Sequence, residues 1–207
     1  MTDLRPTKVV CIGLNYAAHA AEFGNPLPEE PLMFLKPPSA LIGPGDAIVM
    51  PKGVGEVHYE GEIGVQIGRR AKAVAADAAW SYVEGLLALN DVTARTLQRS
   101  DGQWSRAKGF DTFCPVGHVT PLAEVDLDAL SVTTRINGEV RQQSPADDMV
   151  FDIPALIAHI SGVMTLEPGD LIATGTPSGV GPLAAGDVVE VEIGGVGSVS
   201  NPVVAGD

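Results

Sequence analysis

Glu60 and Glu62 lie two apart in the run Val57-His58-Tyr59-Glu60-Gly61-Glu62-Ile63-Gly64-Val65-Gln66-Ile67. Read as a strand, the run puts Val57, Tyr59, Gly61, Ile63, Val65 and Ile67 on an apolar face and His58, Glu60, Glu62, Gly64 and Gln66 on a polar one. The two carboxylates then point the same way, with Cβ atoms roughly 7 Å apart. A solvated strand face accounts for this pair, and so does a site, because two like charges this close repel and Gly61 and Gly64 leave room for something to approach. A third acid, Asp91, ends the largely apolar run Val83-Glu84-Gly85-Leu86-Leu87-Ala88-Leu89-Asn90. It is either the N-cap of a following helix or a functional carboxylate. If the three acids meet, they form an oxygen-only donor set, which suits Mg²⁺, Mn²⁺ or Ca²⁺ and argues against zinc. His19 and Glu22, three apart in an Ala-rich stretch, can share a helix face. They form a surface pair or a carboxylate-oriented imidazole base.

The elements that must position these groups are short. Lys8–Gly13 reads as a buried opening strand, Asn15–Phe23 as a short helix ended by Gly24-Asn25-Pro26, and Pro26–Pro38 as an ordered strand or part of a mobile flap. One small turn recurs, in Gly43-Pro44-Gly45-Asp46, Glu167-Pro168-Gly169-Asp170 and Ala184-Ala185-Gly186-Asp187, each ahead of an apolar strand. Glycine supplies the positive φ and aspartate caps the turn. Further helices are expected from about Thr93 to Ser100 and after Asp152. The second has Asp152 as N-cap, Pro154 in its first turn, and Ile153, Leu156, Ile157, Ile160, Val163 and Met164 on one stripe. His159 falls off that stripe and reads as a surface or satisfied core histidine. Asn137-Gly138 marks a hairpin between Ser131–Asn137 and Glu139–Gln143. The tail from Val188 to Val204 reads as a closing hairpin around Gly194-Gly195.

Composition bounds the function. Glycine and proline together supply 40 of 207 residues, about 19% against roughly 12% in average usage. With 45% apolar residues the excess belongs to tight turns between short strands, not to disorder, and it argues against a helical bundle. The expectation is one β-rich α+β domain spanning residues 1–207. A formal charge of −13 excludes nucleic acid as a partner and disfavours an anionic membrane surface. No run is long enough for a membrane span and no signal-peptide core follows the start, so a cytoplasmic location is expected. Cys11 and Cys114 have no CxxC spacing and read as free thiols of a reducing compartment. Gly175–Gly181 lacks the Lys-Ser/Thr ending of a P-loop and offers no dinucleotide fingerprint.

At Ile12-Gly13-Leu14-Asn15-Tyr16-Ala17-Ala18-His19-Ala20-Ala21-Glu22 the chain resembles the opening of the fumarylacetoacetate hydrolase family. The match continues through Phe34-Leu35-Lys36-Pro37, His58-Tyr59-Glu60-Gly61-Glu62, Asn90-Asp91-Val92-Thr93-Ala94-Arg95, Ala107-Lys108-Gly109-Phe110-Asp111 and Thr174-Gly175-Thr176-Pro177-Ser178-Gly179-Val180-Gly181. It covers nearly the whole chain with the motifs in family order, and is nearest the small acylpyruvate hydrolase and oxaloacetate decarboxylase-like branch. The resemblance implies a mixed β-sandwich roll with a short N-terminal lid helix, usually a homodimer, with Mg²⁺ or Mn²⁺ in a central pocket (Ca²⁺ also fitting in crystals). It implies Glu60, Glu62 and Asp91 as metal ligands, with Lys108 beside them. It makes His19 and Glu22 the lid's catalytic pair, and Arg95, Gln98 and Thr176 substrate-binding residues.

The implied substrate is a 2-oxo acid whose enolate a metal stabilises. With His19 activating water, the expected reaction is C–C hydrolysis of an acylpyruvate-type 2,4-dioxo acid. Oxaloacetate decarboxylation and 2-hydroxyhepta-2,4-diene-1,7-dioate isomerisation are alternatives on the same site, and a non-catalytic metal-binding protein is the alternative of another class. Two departures bear on the substrate. Thr96 stands where the family often has Asp, and the additional N-terminal domain of longer members is expected to be missing.

Overall fold

The computed structural model of the chain describes residues 4–22, 24 and 26–206. The opening strand Val9–Gly13 runs parallel to Leu171–Ala173 and antiparallel to Leu32–Lys36, so the Pro-rich passage contributes an ordered strand. Leu171–Ala173 pairs with Gly61–Ile67, which pairs with Val83–Asn90, and Thr120–Pro121 closes the row as a six-stranded mixed sheet. A second sheet has the order Glu139–Pro145, Ser131–Ile136, Val188–Ile193, Gly197–Ala205, Ile48–Met50. This is the α+β, β-rich mixed roll expected from the sequence.

Both faces of the six-stranded sheet are covered, which is why Leu86-Leu87-Ala88-Leu89 is apolar without alternation. On one side Ile63, Val65, Leu86 and Ile172 pack against Val132, Val191 and Val199 of the second sheet and against Leu156, Ile157 and Ile160 of the helix Ile153–Val163. On the other side Cys11, Leu87, Leu89 and Ala173 pack with Cys114 and Val116. Both cysteines are free and buried, and burial pushes the Cys114 thiol up to about 12. They are core residues.

The turn chemistry read from the sequence is realised with one repeated geometry. Asp46 Oδ2 accepts from Gly43 N at 3.0 Å, Asp170 Oδ2 from Glu167 N at 2.8 Å, and Asp187 Oδ2 from Ala184 N at 2.8 Å. The intervening Gly45, Gly169 and Gly186 all have positive φ. Asn137 and Gly138, at φ 52° and 85°, form the type I′ hairpin turn. Asp152 caps its helix by accepting from Ala155 N at 2.8 Å. Val163, expected on the buried stripe, is exposed, because the helix ends there.

Two expectations change in ways that matter for the site. The run Val57–Ile67 is not one strand. Val57–Tyr59 pairs with Thr93–Ala94 and Gly181–Pro182 in a small separate sheet, Gly61–Ile67 belongs to the six-stranded sheet, and Glu60 is the corner between them. The helix expected from Thr93 begins at Arg95, because Thr93 and Ala94 are taken by that small sheet. The helix cap is Ala94, so Asp91 is not an N-cap. No helix among the described residues is long and apolar enough to cross a membrane.

Candidate metal centre

Glu60 and Glu62 flank Gly61, whose Cα is paired with that of Asn90; Asp91 follows Asn90 directly. The corner is locked from both strands. Glu60 N donates to Asn90 Oδ1 at 2.9 Å, and Asp91 N donates to Glu60 O at 2.8 Å. Antiparallel register and corner together bring the three acids to one point, where one carboxylate oxygen of each lies within 4.8 Å of the others. All three side chains are buried, so the solvated-face reading of the glutamates is excluded.

What approaches Gly61 is the second sheet. A Cβ there would meet Thr134 Oγ1 at 2.1 Å, and Gly61 N donates to Gln142 Oε1 at 3.0 Å. Leu87 fills the space beside Gly64. The room expected around these glycines is therefore used for packing that sets the strand against its neighbours.

Three cations meet two of the three acids, Glu60 and Asp91. Lys108, delivered by the short helix Ser105–Lys108, places Nζ 2.6 Å from Glu60 Oε2 and 2.5 Å from Asp91 Oδ2. Arg95 Nη2 is 2.6 Å from Glu60 Oε1. Lys36, the last residue of its strand, donates to Asp91 Oδ1 at 2.7 Å and to the carbonyl of Val92 at 3.1 Å. Burial alone would raise the Glu60 carboxyl, but Lys108 and Arg95 outweigh it and hold Glu60 well below the usual carboxylate range. Burial alone would lower the Lys108 ammonium, and Asp91 and Glu60 hold it above the usual lysine range instead.

Glu62 is the exception. It accepts from Gly175 N at 2.8 Å and, among the described residues, touches no cationic side chain. Burial and the charge of Asp91 push its carboxyl well up. A buried carboxylate that no cationic side chain among the described residues touches, beside two others in an oxygen-only set, fits a hard divalent cation. Glu60, Glu62 and Asp91 are the residues that would hold it.

Glu60 and Glu62 form the floor of a cavity of about 350 Å³ lined also by His19, Arg95, Gln98, Arg99, Lys108 and Thr176, with Asp91 fully buried against Lys108 behind it. Its apolar wall is Ile12, Gly13, Leu14, Phe34 and Trp104, the two aromatic rings meeting edge to face at 5.2 Å. Gly13 is needed for that wall, since a Cβ would lie 2.8 Å from the Trp104 ring. The helix Ala17–Glu22 is anchored by Asn15, which bonds Phe151 O, Thr174 O and Phe151 N. It sets His19 over the cavity, with Nδ1 3.4 Å from Glu22 Oε2. Glu22 also accepts from Gly179 N at 3.3 Å. Burial lowers the His19 imidazole, and Glu60 and Glu22 oppose that shift without reversing it.

Every predicted site residue thus lines this cavity or touches a residue that does. Arg95 Nη1 donates to Gln98 Oε1 at 2.6 Å, which turns the Gln98 amide. The Thr176 hydroxyl donates to Gly61 O at 2.9 Å and accepts from Gln142 Nε2 at 2.8 Å, so it braces the corner. Thr96, the departure from the family pattern, is exposed against Gly55 and outside the cavity. Sequence reading gave no role to Lys36, Arg99, Trp104 or Gln142. Lys36 has a signal, a lysine closing the apolar run Leu32–Leu35; Gln142 has none, because it arrives from a distant hairpin.

The fold and the site define a class: a mixed β roll whose sheet corner gathers three carboxylates beneath a short helix bearing a His–Glu pair. Residues 8–204 match the fumarylacetoacetate (FAA) hydrolase C-terminal family, and the chain belongs to it. Among relatives, the chain is 44% identical over 198 residues to the oxaloacetate tautomerase FAHD1, mitochondrial, of Arabidopsis thaliana, covering 93% of this chain and 89% of that one. The solved 5-carboxymethyl-2-hydroxymuconate delta-isomerase from Mycobacterium smegmatis is 46% identical with a TM-score of 0.91, covering 99% of this chain and 81% of the other. The 2-hydroxyhepta-2,4-diene-1,7-dioate isomerase from Mycobacterium marinum is 46% identical with a TM-score of 0.90, at 98% and 76% coverage.

Proposed function

We propose that the protein is a divalent-metal-dependent enzyme that enolises a 2-oxo acid, with hydrolytic C–C cleavage of acylpyruvate-type 2,4-dioxo acids as its outcome. The observation that carries this reading is the convergence of Glu60, Glu62 and Asp91 at a cavity whose floor the two glutamates form and over which Glu22 orients His19. A divalent cation bound by the three carboxylates would supply Lewis acidity toward the carboxylate and keto oxygens of a 2-oxo acid.

The chain's own groups do the rest. Glu22 at Nδ1 selects the tautomer protonated there, so the basic lone pair sits on Nε2. Burial keeps the ring neutral, which is the state a base needs. His19 takes the proton of a water that adds to the 4-keto carbon, the C3–C4 bond breaks with its electron pair going to C3, and the imidazolium, stabilised by Glu22, returns the proton to C3. Lys108, held cationic by Asp91 and Glu60, balances negative charge at the floor. Arg95 and Gln98 line the approach to it. Phe34 and Trp104 give the same cavity an apolar wall.

A second reading is favoured by the relatives. Proteins similar over almost the whole chain are named oxaloacetate tautomerase and dienedioate isomerase. In that case His19 moves a proton between substrate carbon and oxygen rather than from water, and the same floor serves. The homodimer is also proposed, with the exposed Leu27, Leu32 and Leu35 beside the sheet edge Leu32–Lys36 as the surface for a second copy. The test of function is a panel of acylpyruvates, oxaloacetate and a hydroxydienedioate with Mg²⁺ or Mn²⁺, products identified by NMR. Cleavage with uptake of water supports hydrolysis. Isomerised product without cleavage selects the second reading, and retained metal without turnover of any 2-oxo acid contradicts both.

A further inference from the structure

The chain carries half as many basic as acidic residues, 13 against 26, so its arginines have acids in excess to meet. Seven of the eight arginines meet a carboxylate, carbonyl, hydroxyl or aromatic ring, among them Arg69 with Ser81 and the Tyr82 ring, Arg106 with Asp101, and Arg135 with Glu190 and Glu192. Arg99 alone has no partner among the described residues, and it lines the cavity. The acids of the site cannot answer it. Glu60 and Asp91 are already engaged by Arg95, Lys108 and Lys36, and Glu62 is bonded to the Gly175 amide.

Placement adds a direction. Arg95 and Arg99 are four apart on the helix Arg95–Asp101 and so share a face. Arg95 reaches down to Glu60 at the floor. Arg99 stands one turn further, about 6 Å along the axis, and is an exposed member of the cavity lining. A molecule whose 2-oxo carboxylate end sits at the floor therefore presents its far end to a guanidinium that lacks an anion. Guanidinium forks match carboxylates in two parallel hydrogen bonds.

We infer that Arg99 binds a second, distal carboxylate of the substrate and makes the site selective for 2-oxo dicarboxylates over 2-oxo monocarboxylates. This rests on the 2-oxo acid reading above. It applies to hydrolysis and isomerisation alike, because it concerns the end of the molecule that does not react. Trp104, on the apolar wall of the same cavity, offers an apolar surface to the chain between the two carboxylates.

The test compares wild type, Arg99→Gln and Arg99→Lys in the same buffer with Mn²⁺. The readout is catalysed exchange of C3 protons in D₂O, followed by NMR for 2-oxobutyrate (one carboxylate) and oxaloacetate (two), each above its uncatalysed rate. Arg99→Gln should lower the oxaloacetate to 2-oxobutyrate ratio of kcat/KM about tenfold, mainly through KM for oxaloacetate, and Arg99→Lys should recover part of it. A ratio that moves less than about twofold overturns the role of Arg99 while leaving the 2-oxo acid reading intact. Exchange of neither compound by wild type overturns both.

Discussion

Lys36 Nζ donates to Asp91 Oδ1 at 2.7 Å, and neither side chain has any exposed surface. The two are 55 residues apart in the chain and come together where the strand Leu32–Lys36 ends beside the sheet corner. Lys36 also holds the carbonyl of Val92, so one ammonium fixes both the carboxylate and the backbone that follows it. It is a positioning residue for the candidate ligand.

Replacing Lys36 by Met removes one of the two ammonium groups that hold Asp91, at nearly constant side-chain volume, and leaves Lys108 on its other oxygen. Mn²⁺ affinity should fall about 10- to 100-fold, measured by titration on folded protein confirmed by circular dichroism. Affinity equal to wild type would show that Lys108 alone orients Asp91.

His19→Asn should lower turnover about 10²- to 10⁴-fold and leave Mn²⁺ affinity close to wild type. Burial lowers the His19 imidazole, and the base must be neutral, so the neutral form persists to lower pH than for an exposed histidine. The acid limb of kcat/KM should therefore lie below about 6.5 and be missing from the variant. An acid limb above that value would contradict the assignment.

Gly61→Ala drives a methyl group against Thr134 Oγ1, which would sit 2.1 Å away. The variant should lose about 1–3 kcal/mol of stability in urea denaturation. Thr134 Oγ1 is buried without a hydrogen-bond partner among the described residues, so Thr134→Ala removes the obstacle cheaply. The double variant should recover most of the loss, and additive losses would mean the clash lies elsewhere.

Asp170 is fully buried and accepts from Thr7 N and Oγ1 at 2.8 and 2.7 Å, from Lys8 N at 3.1 Å and from the Lys8 ammonium. Burial would raise its carboxyl, but these donors hold it below the usual aspartate value. The stability it contributes is therefore present above the unfolded pKa and lost as pH falls through the lower folded one. Asp170→Asn should cost about 1–3 kcal/mol at pH 7, with the difference from wild type shrinking in acid. A difference independent of pH would remove the electrostatic part of this account.

Much of the frame was legible because it rests on local chemistry. The Gly-Asp turns, the Asn137-Gly138 hairpin and the Asp152 cap each depend on residues within four positions. Alternation placed Ile63, Val65 and Ile67 on the apolar side of their strand and the glutamates opposite. The strand's break at Glu60 was not legible, because it depends on Thr93–Ala94 and Gly181–Pro182 claiming Val57–Tyr59. Likewise the tenants of the space beside Gly61, Thr134 and Gln142, come from another sheet. Lys36 closes an apolar run and Arg99 falls four after Arg95, but the meaning of each lies in what it meets, or fails to meet, from distant parts of the chain.

The central claim is that Glu60, Glu62 and Asp91 hold one divalent cation. Its most direct test is the manganese content, by elemental analysis, of wild type, Glu60→Gln and Glu62→Gln after loading with Mn²⁺ and desalting. The account predicts about one manganese per chain in wild type and a small fraction of that in each variant. Equal content in all three proteins would contradict it.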